Sequence, residues 1–223
     1  MKKNSELQTD VQNAIKWEPL LNAAEIGVTA KDGVVSLTGV VDCFAKKMEA
    51  ENAAKRVIGV KALVEEIEVV LPSSFTKTNE EIAHEVLTAL NANWSVPKDK
   101  VTVKVEAGWV TLEGELPWNY QKEVAESSVY YLMGVKGVTN NIKIKSESHD
   151  VIEKRDVEAA IARSWSVDDR DITISVTGTT VTLNGTVNSW YQKEEAGRIA
   201  WNTPGIWHVK NDLAVDYYNA LVV

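Results

Sequence analysis

The sequence predicts an α+β protein: three tandem α-β-β-α-β units, each a three-stranded mixed sheet with two helices on one face. Three observations predict it. Val35-Ser36-Leu37-Thr38-Gly39 returns as Val110-Thr111-Leu112-Glu113-Gly114 and as Val181-Thr182-Leu183-Asn184-Gly185, at offsets of 75 and 71 residues. Gly59, Gly134 and Gly205 each follow twenty residues later, with Lys47, Lys122, Lys193 and Ala50, Ala125, Ala196 between them in the same register. Within each copy the hydrophobic period switches between helical and alternating in the same order. Such constant register across 223 residues marks an internal repeat. The repeats are drawn at 1–72, 78–146 and 150–218. Short polar stretches separate them, Leu71 to Thr76 with its Pro and Ser, and Ser146 to Asp150.

Each repeat opens with a helix, read from Ile82, Val86, Ala89, Leu90 in the second copy and Val157, Ala160, Ile161, Ser164 in the third. Strict alternation follows in Val101-Thr-Val103-Lys-Val105 and Ile172-Thr-Ile174-Ser-Val176, the pattern of a half-buried strand. A tight turn at Asp32-Gly33, Ala107-Gly108 or Thr177-Gly178 joins it to the Val-x-Leu-x-Gly strand as a hairpin. Gly39, Gly114 and Gly185 are read as strand ends or bulges. The second helix begins just beyond, with Asp42, Asn119 and Ser189 as candidate N-caps and Ser189-x-x-Gln192 at capping-box spacing. Its buried stripe is Ala50, Ala54, Val57 in the first copy and Ala125, Val129, Leu132 in the second, small enough for a helix to lie close on a sheet. Gly59, Gly134 and Gly205 are placed at its C-caps. The last strand is Val64–Val70, Asn140–Ile144 or Asn211–Val215, and a strand–helix–strand crossover makes it parallel to its neighbour.

Composition narrows the function classes. The chain is 44% hydrophobic and 25% charged, ordinary for a folded protein, and contains no apolar run near the ~20 residues of a membrane span. Nothing apolar follows Met1-Lys2-Lys3, so no signal peptide is read and the expected compartment is cytoplasmic, with a periplasmic or membrane-peripheral site left open. A net charge of −8 argues against nucleic acid as partner. Single Cys43 makes no disulfide or metal motif, and its counterparts Trp118 and Ser189 deny the thiol a shared role. His84, His149 and His208 share no ligand spacing and do not recur between repeats. Isolated glycines form no phosphate-binding fingerprint. Neither a catalytic constellation, a metal site nor a cofactor is expected.

The repeat resembles the BON domain, a family named for bacterial OsmY and nodulation proteins. The resemblance rests on Val-x-Leu-x-Gly-x-Val (Val110 to Leu116, Val181 to Val187), a Lys-Glu-x-Ala helix opening (Lys122 to Ala125, Lys193 to Ala196), and the Gly-Val-x-x-Val-x-Asn-x-Ile phrase (Gly134 to Ile142, Gly205 to Leu213). The first copy departs from it, with Glu65 where Asn140 stands and Lys46-Lys47-Met48 at the helix start. The resemblance implies a binding module of the bacterial envelope and of osmotic stress, with phospholipid headgroups or an envelope-associated protein as partner.

Eight Trp beside only two Phe make the aromatics the informative residues. Trp94 and Trp165 close the first helices at equivalent positions, Trp17 only approximately so, and all three are expected to pack in the core or cap the helix, because Trp is largely buried on average. The candidate lipid or ligand site lies instead between the second strand and second helix: Phe44, Trp118, Tyr120, Trp190 and Tyr191, flanked by Lys46, Lys47, Lys122 and Lys193. Amphipathic rings suit a headgroup interface, and a helix start suits an anion. The alternatives are that these rings pack between repeats, or serve a soluble interaction scaffold without lipid affinity. Trp201, Trp207, Tyr217 and Tyr218 form a second aromatic group, for capping the array or for a homo-oligomer contact.

Overall fold

The computed structural model describes residues 2–145 and 154–216; His149, Tyr217 and Tyr218 of the preceding section lie outside them. The first repeat runs α1 (Asn4–Lys16), β1 (Ile26–Lys31), β2 (Val34–Val41), α2 (Phe44–Lys55), β3 (Ala62–Val69). The second runs α3 (Asn79–Ala92), β4 (Val101–Glu106), β5 (Trp109–Leu116), α4 (Asn119–Tyr130), then β6 (Gly137–Asn140) and β7 (Lys143–Ile144). The third runs α5 (Lys154–Ala162), β8 (Ile172–Thr177), β9 (Thr180–Val187), α6 (Trp190–Trp201), β10 (His208–Val215). The α-β-β-α-β order therefore holds three times.

Each sheet has the second strand at its centre. The hairpins β1–β2, β4–β5 and β8–β9 are antiparallel, in the common register Ile26↔Gly39, Val101↔Gly114 and Ile172↔Gly185. The crossover strands β6, β7 and β10 run parallel to their neighbours, as a helical connection requires. In the second repeat the last strand breaks at Asn141–Ile142, where a continuous Asn140–Ile144 was expected. There the Asn140 side chain accepts the Ile142 N–H at 3.2 Å; the third repeat makes the equivalent bond from Leu213 N–H to Asn211 at 3.4 Å within an unbroken strand.

Apolar periodicity becomes core on one side of each sheet. In the second repeat Ile82, Val86 and Leu90 of α3 meet Val110, Leu112 and Leu116 of β5 and Ala125 and Val129 of α4. Val157, Ile161, Val181, Leu183, Val187, Ala196 and Ala200 repeat the arrangement in the third. Ala50 and Ala54 are fully buried on α2, whereas Val57 is half-buried.

Several local expectations are corrected. Gly39, Gly114 and Gly185 do not end their strands, which continue two residues further. Each has φ between 123° and 149°, and a Cβ would lie inside the contact radius of the carbonyl oxygen of Glu25, Lys100 or Asp171 across the hairpin. Glycine is required by that close approach. Gly59, Gly134 and Gly205 also have positive φ, but they sit four residues past the last helical residue, in the turn into the final strand. Ser189 does cap α6, accepting the Gln192 N–H at 3.2 Å. Asn119 is instead the first helical residue, bonded to Glu123, and Asp42 precedes α2 by two residues and pairs with Lys46. The third hairpin turn is Gly178-Thr179, because Thr177 pairs with Thr180.

Packing gathers the chain into two compact units. One comprises the described parts of Met1–Gly39, Glu49–Glu66 and Ser148–Val223; the other comprises Val40–Met48 and Ile67–Glu147. In the second unit, Phe44 from the start of α2 is buried in the core of the second repeat, with Met48 and Val69 packed against it. In the first, Lys55 at the end of α2 reaches α6 of the third repeat.

Candidate functional site

The residues predicted at the strand–helix junction divide into engaged and open sets. Phe44 is buried, its ring edge-on to Tyr130 with centroids 5.5 Å apart. Lys46 pairs with Asp42 at 2.8 Å, and Lys47 Nζ donates to the Ile67 carbonyl at 2.9 Å. Trp190 is half-buried; its Nε1 donates to Glu194 at 3.0 Å and Lys55 Nζ lies 5.7 Å from the ring centroid. Lys55 also bridges Glu194 and Glu51, each at 2.8 Å. Burial works to lower the Lys55 pKa, but the hydrogen bonds it donates to Glu194 and Glu51 outweigh it and hold the ammonium above its ordinary value. The two contacts share one geometry: the first residue of a second helix (Phe44, Trp190) meets the last residue of another (Tyr130, Lys55). These rings serve contacts between repeats.

The second repeat keeps Trp118 half-buried and Tyr120 exposed; in the third, Tyr191 is exposed beside Trp190. Lys122 and Lys193 are half-buried behind them. A signal in this stretch went unread: Asn140 donates from Nδ2 to the Lys122 carbonyl at 3.0 Å, and Asn211 to the Lys193 carbonyl at 2.6 Å. The asparagine of the Gly-Val-x-x-Val-x-Asn phrase thus ties the last strand to the second helix. Glu65 at this place in the first repeat has no such amide donor.

The largest departure is at the ends of the first helices. Trp17, Trp94 and Trp165, expected to pack in the core or cap the helix, are 83%, 91% and 98% exposed, so none is a core residue, although Trp17 is the C-cap of α1. Neighbouring bonds hold the backbone of each loop while the ring projects. The Trp17 N–H closes α1 on the Asn13 carbonyl at 3.0 Å. Around Trp94, Asn93 Oδ1 accepts the Ser95 N–H at 3.1 Å, Asn93 Nδ2 donates to Ser128 at 3.2 Å, and Val96 is buried. Around Trp165, Ser164 and Ser166 hydroxyls bond at 2.9 Å and Val167 is buried. An apolar anchor two residues beyond the ring therefore leaves Trp94 and Trp165 pointing outward. Average burial of Trp gave the wrong expectation; three-fold recurrence at a loop was the signal available.

Tip and junction share one end of a repeat. Val101 pairs with Gly114, so the loop entering β4 and the loop leaving β5 emerge together; Ile172 and Gly185 do the same in the third repeat. Exposed aromatic rings from a loop (Trp94, Trp165) and from the first turn of a helix (Tyr120, Tyr191) thus lie at that end. His84 and His208 are exposed on separate elements, and Cys43 is half-buried. Among the described residues no group of three or more His, Cys, Asp or Glu is placed to hold a metal ion, and no helix is long and apolar enough to cross a membrane.

Fold and site define a tandem-repeat α+β protein, with exposed aromatic side chains at one end of its repeats. The chain belongs to the BON domain family, whose profile matches residues 3–70, 78–146 and 149–217. It is 29% identical over 150 residues to osmotically-inducible protein Y of Escherichia coli (strain K12), a match covering 64% of this chain and 73% of that protein. Among solved structures it aligns with the C-terminal domain of CdsD, the structural protein of the type III secretion system of Chlamydia trachomatis. That alignment has 17% identity and a TM-score of 0.26, over 96% of this chain and all of the other. A second CdsD structure gives 16% and 0.24. Scores this low carry no argument about fold or function.

Proposed function

We propose that the chain is a non-catalytic protein that attaches peripherally to phospholipid surfaces through the ends of its repeats. The observation that supports this reading is the near-complete exposure of Trp17, Trp94 and Trp165, one per repeat. Indole rings favour the headgroup region of a bilayer, where an apolar body and a polar N–H are both satisfied. Tyr120 and Tyr191, with Lys122 and Lys193 behind them, supply a second set of contacts at the same ends of their repeats. Each tip alone binds weakly; joined in one chain they act through effective concentration.

Vesicle co-sedimentation with tryptophan emission tests this, using anionic and zwitterionic vesicles at low and high salt. The expected result is pelleting with a blue shift, and about a hundredfold weaker partitioning after Trp17→Ala, Trp94→Ala and Trp165→Ala are combined. Unchanged pelleting of the triple variant would remove the tips from the reading. No pelleting of the parent chain on any lipid would overturn the reading and turn attention to protein partners.

A further inference from the structure

The tips of the second and third repeats carry opposite charges at matched positions. At the 71-residue offset that superposes Trp94 on Trp165, Lys98-Asp99-Lys100 falls on Asp169-Arg170-Asp171, so all three charges are inverted. All six residues are exposed. Arg170 is further occupied by Asp168, with Nε to Oδ1 at 2.9 Å and Nη2 to Oδ2 at 2.6 Å. That pairing holds the Asp168 carboxyl below the usual carboxylate range, against a smaller opposing push from burial. Over residues 168–171 the third tip thus sets three carboxylates against one guanidinium, whereas over residues 98–100 the second sets two ammonium groups against one carboxylate. In the first repeat the same positions are Ala23-Ala24-Glu25.

We infer that selection of anionic phospholipid belongs to the second repeat's tip, where Lys98 and Lys100 follow Trp94 in the same loop, and that the third tip opposes it. The rings supply a similar interfacial preference at each tip; the triplets decide which headgroups each tolerates. Near an anionic surface a basic residue contributes roughly fivefold in partitioning, and an acidic one acts against it. The third tip instead suits a surface whose outermost charge is an ammonium, as in zwitterionic headgroups, because carboxylates and the Trp165 face both attract cations. The occupant is a mixed phospholipid surface, argued from charge complementarity. This rests on the lipid-surface reading above.

The experiment compares the full chain with Lys98→Asp/Lys100→Asp and with Asp169→Lys/Asp171→Lys, on vesicles with and without anionic lipid, at low and high salt. The expected result is opposite signs on anionic vesicles: at least tenfold weaker partitioning for the first variant and at least tenfold tighter for the second. Both differences should shrink at high salt, where the screening length falls to about 3 Å near 1 M. Far-UV circular dichroism of each variant guards against misfolding. If both variants weaken binding alike, or neither changes it while the triple Trp variant does, this inference falls and the lipid reading stands. If the parent chain binds no vesicle, the lipid reading falls first. Concentration-dependent self-association of the parent, lost in both variants, would replace the lipid surface with a second copy of this chain and overturn the inference.

Discussion

The start of a second helix and the end of a first helix carry similar residues, aromatic rings beside charged groups, and the molecule uses them in opposite ways. At the helix starts, Phe44 is buried against Tyr130 and Trp190 lies under Lys55 while bonding Glu194. At the helix ends, Trp17, Trp94 and Trp165 touch little and face solvent. Aromatic content alone does not identify a binding surface. The ring that satisfies its polar edge and covers its face within the chain is structural; the ring left bare on a loop anchored by neighbouring bonds is available to a partner.

Substitutions can break that contrast, and the largest effect is expected at Phe44. Phe44→Ala empties a site in the second repeat's core and should lower stability by about 3–5 kcal/mol, read as a fall in denaturant midpoint. Trp190→Ala removes the cation–π contact and the bond to Glu194, a loss of roughly 1–2 kcal/mol at this half-exposed place. The same cluster gives a pH signature. Lys55 is held above its ordinary 10.5 in the folded state, so its contribution is fully present below that value and is lost as pH rises through the folded pKa. An alkaline titration of stability should therefore lose a component above pH 10.5 that Lys55→Met lacks. The smallest effect is expected at the tips: single Trp-to-Ala changes at 17, 94 or 165 should move the midpoint by no more than about 0.5 kcal/mol equivalent. A tip variant as destabilised as Phe44→Ala would erase the distinction.

The repeat was legible because Gly39, Gly114 and Gly185 hold register, and strand order followed from the crossover rule. The reason for those glycines was not legible: it is the carbonyl of the residue just before the partner strand, visible only once Ile26, Val101 and Ile172 are seen opposite them. The asparagines Asn140 and Asn211 were seen as motif letters but not as donors to helix carbonyls, since side-chain reach across elements leaves no periodic trace. The tip tryptophans were assigned inward on the average burial of Trp, and periodicity, which is silent once the chain leaves the last turn of a helix, offered nothing against it. The charge inversion beside two of them lay in plain sequence, yet had no meaning while both rings were assumed buried.

The division of α2 between two packing units has a consequence for biosynthesis. Residues 40–48 and 67–145 supply the described part of one unit, so it can close before the third repeat has left the ribosome. The other draws on the first repeat's α1 and hairpin and on segments as late as residue 216. Within it α1 packs locally on β1, but Lys55 waits for Trp190 and Glu194 through the translation of more than a hundred residues.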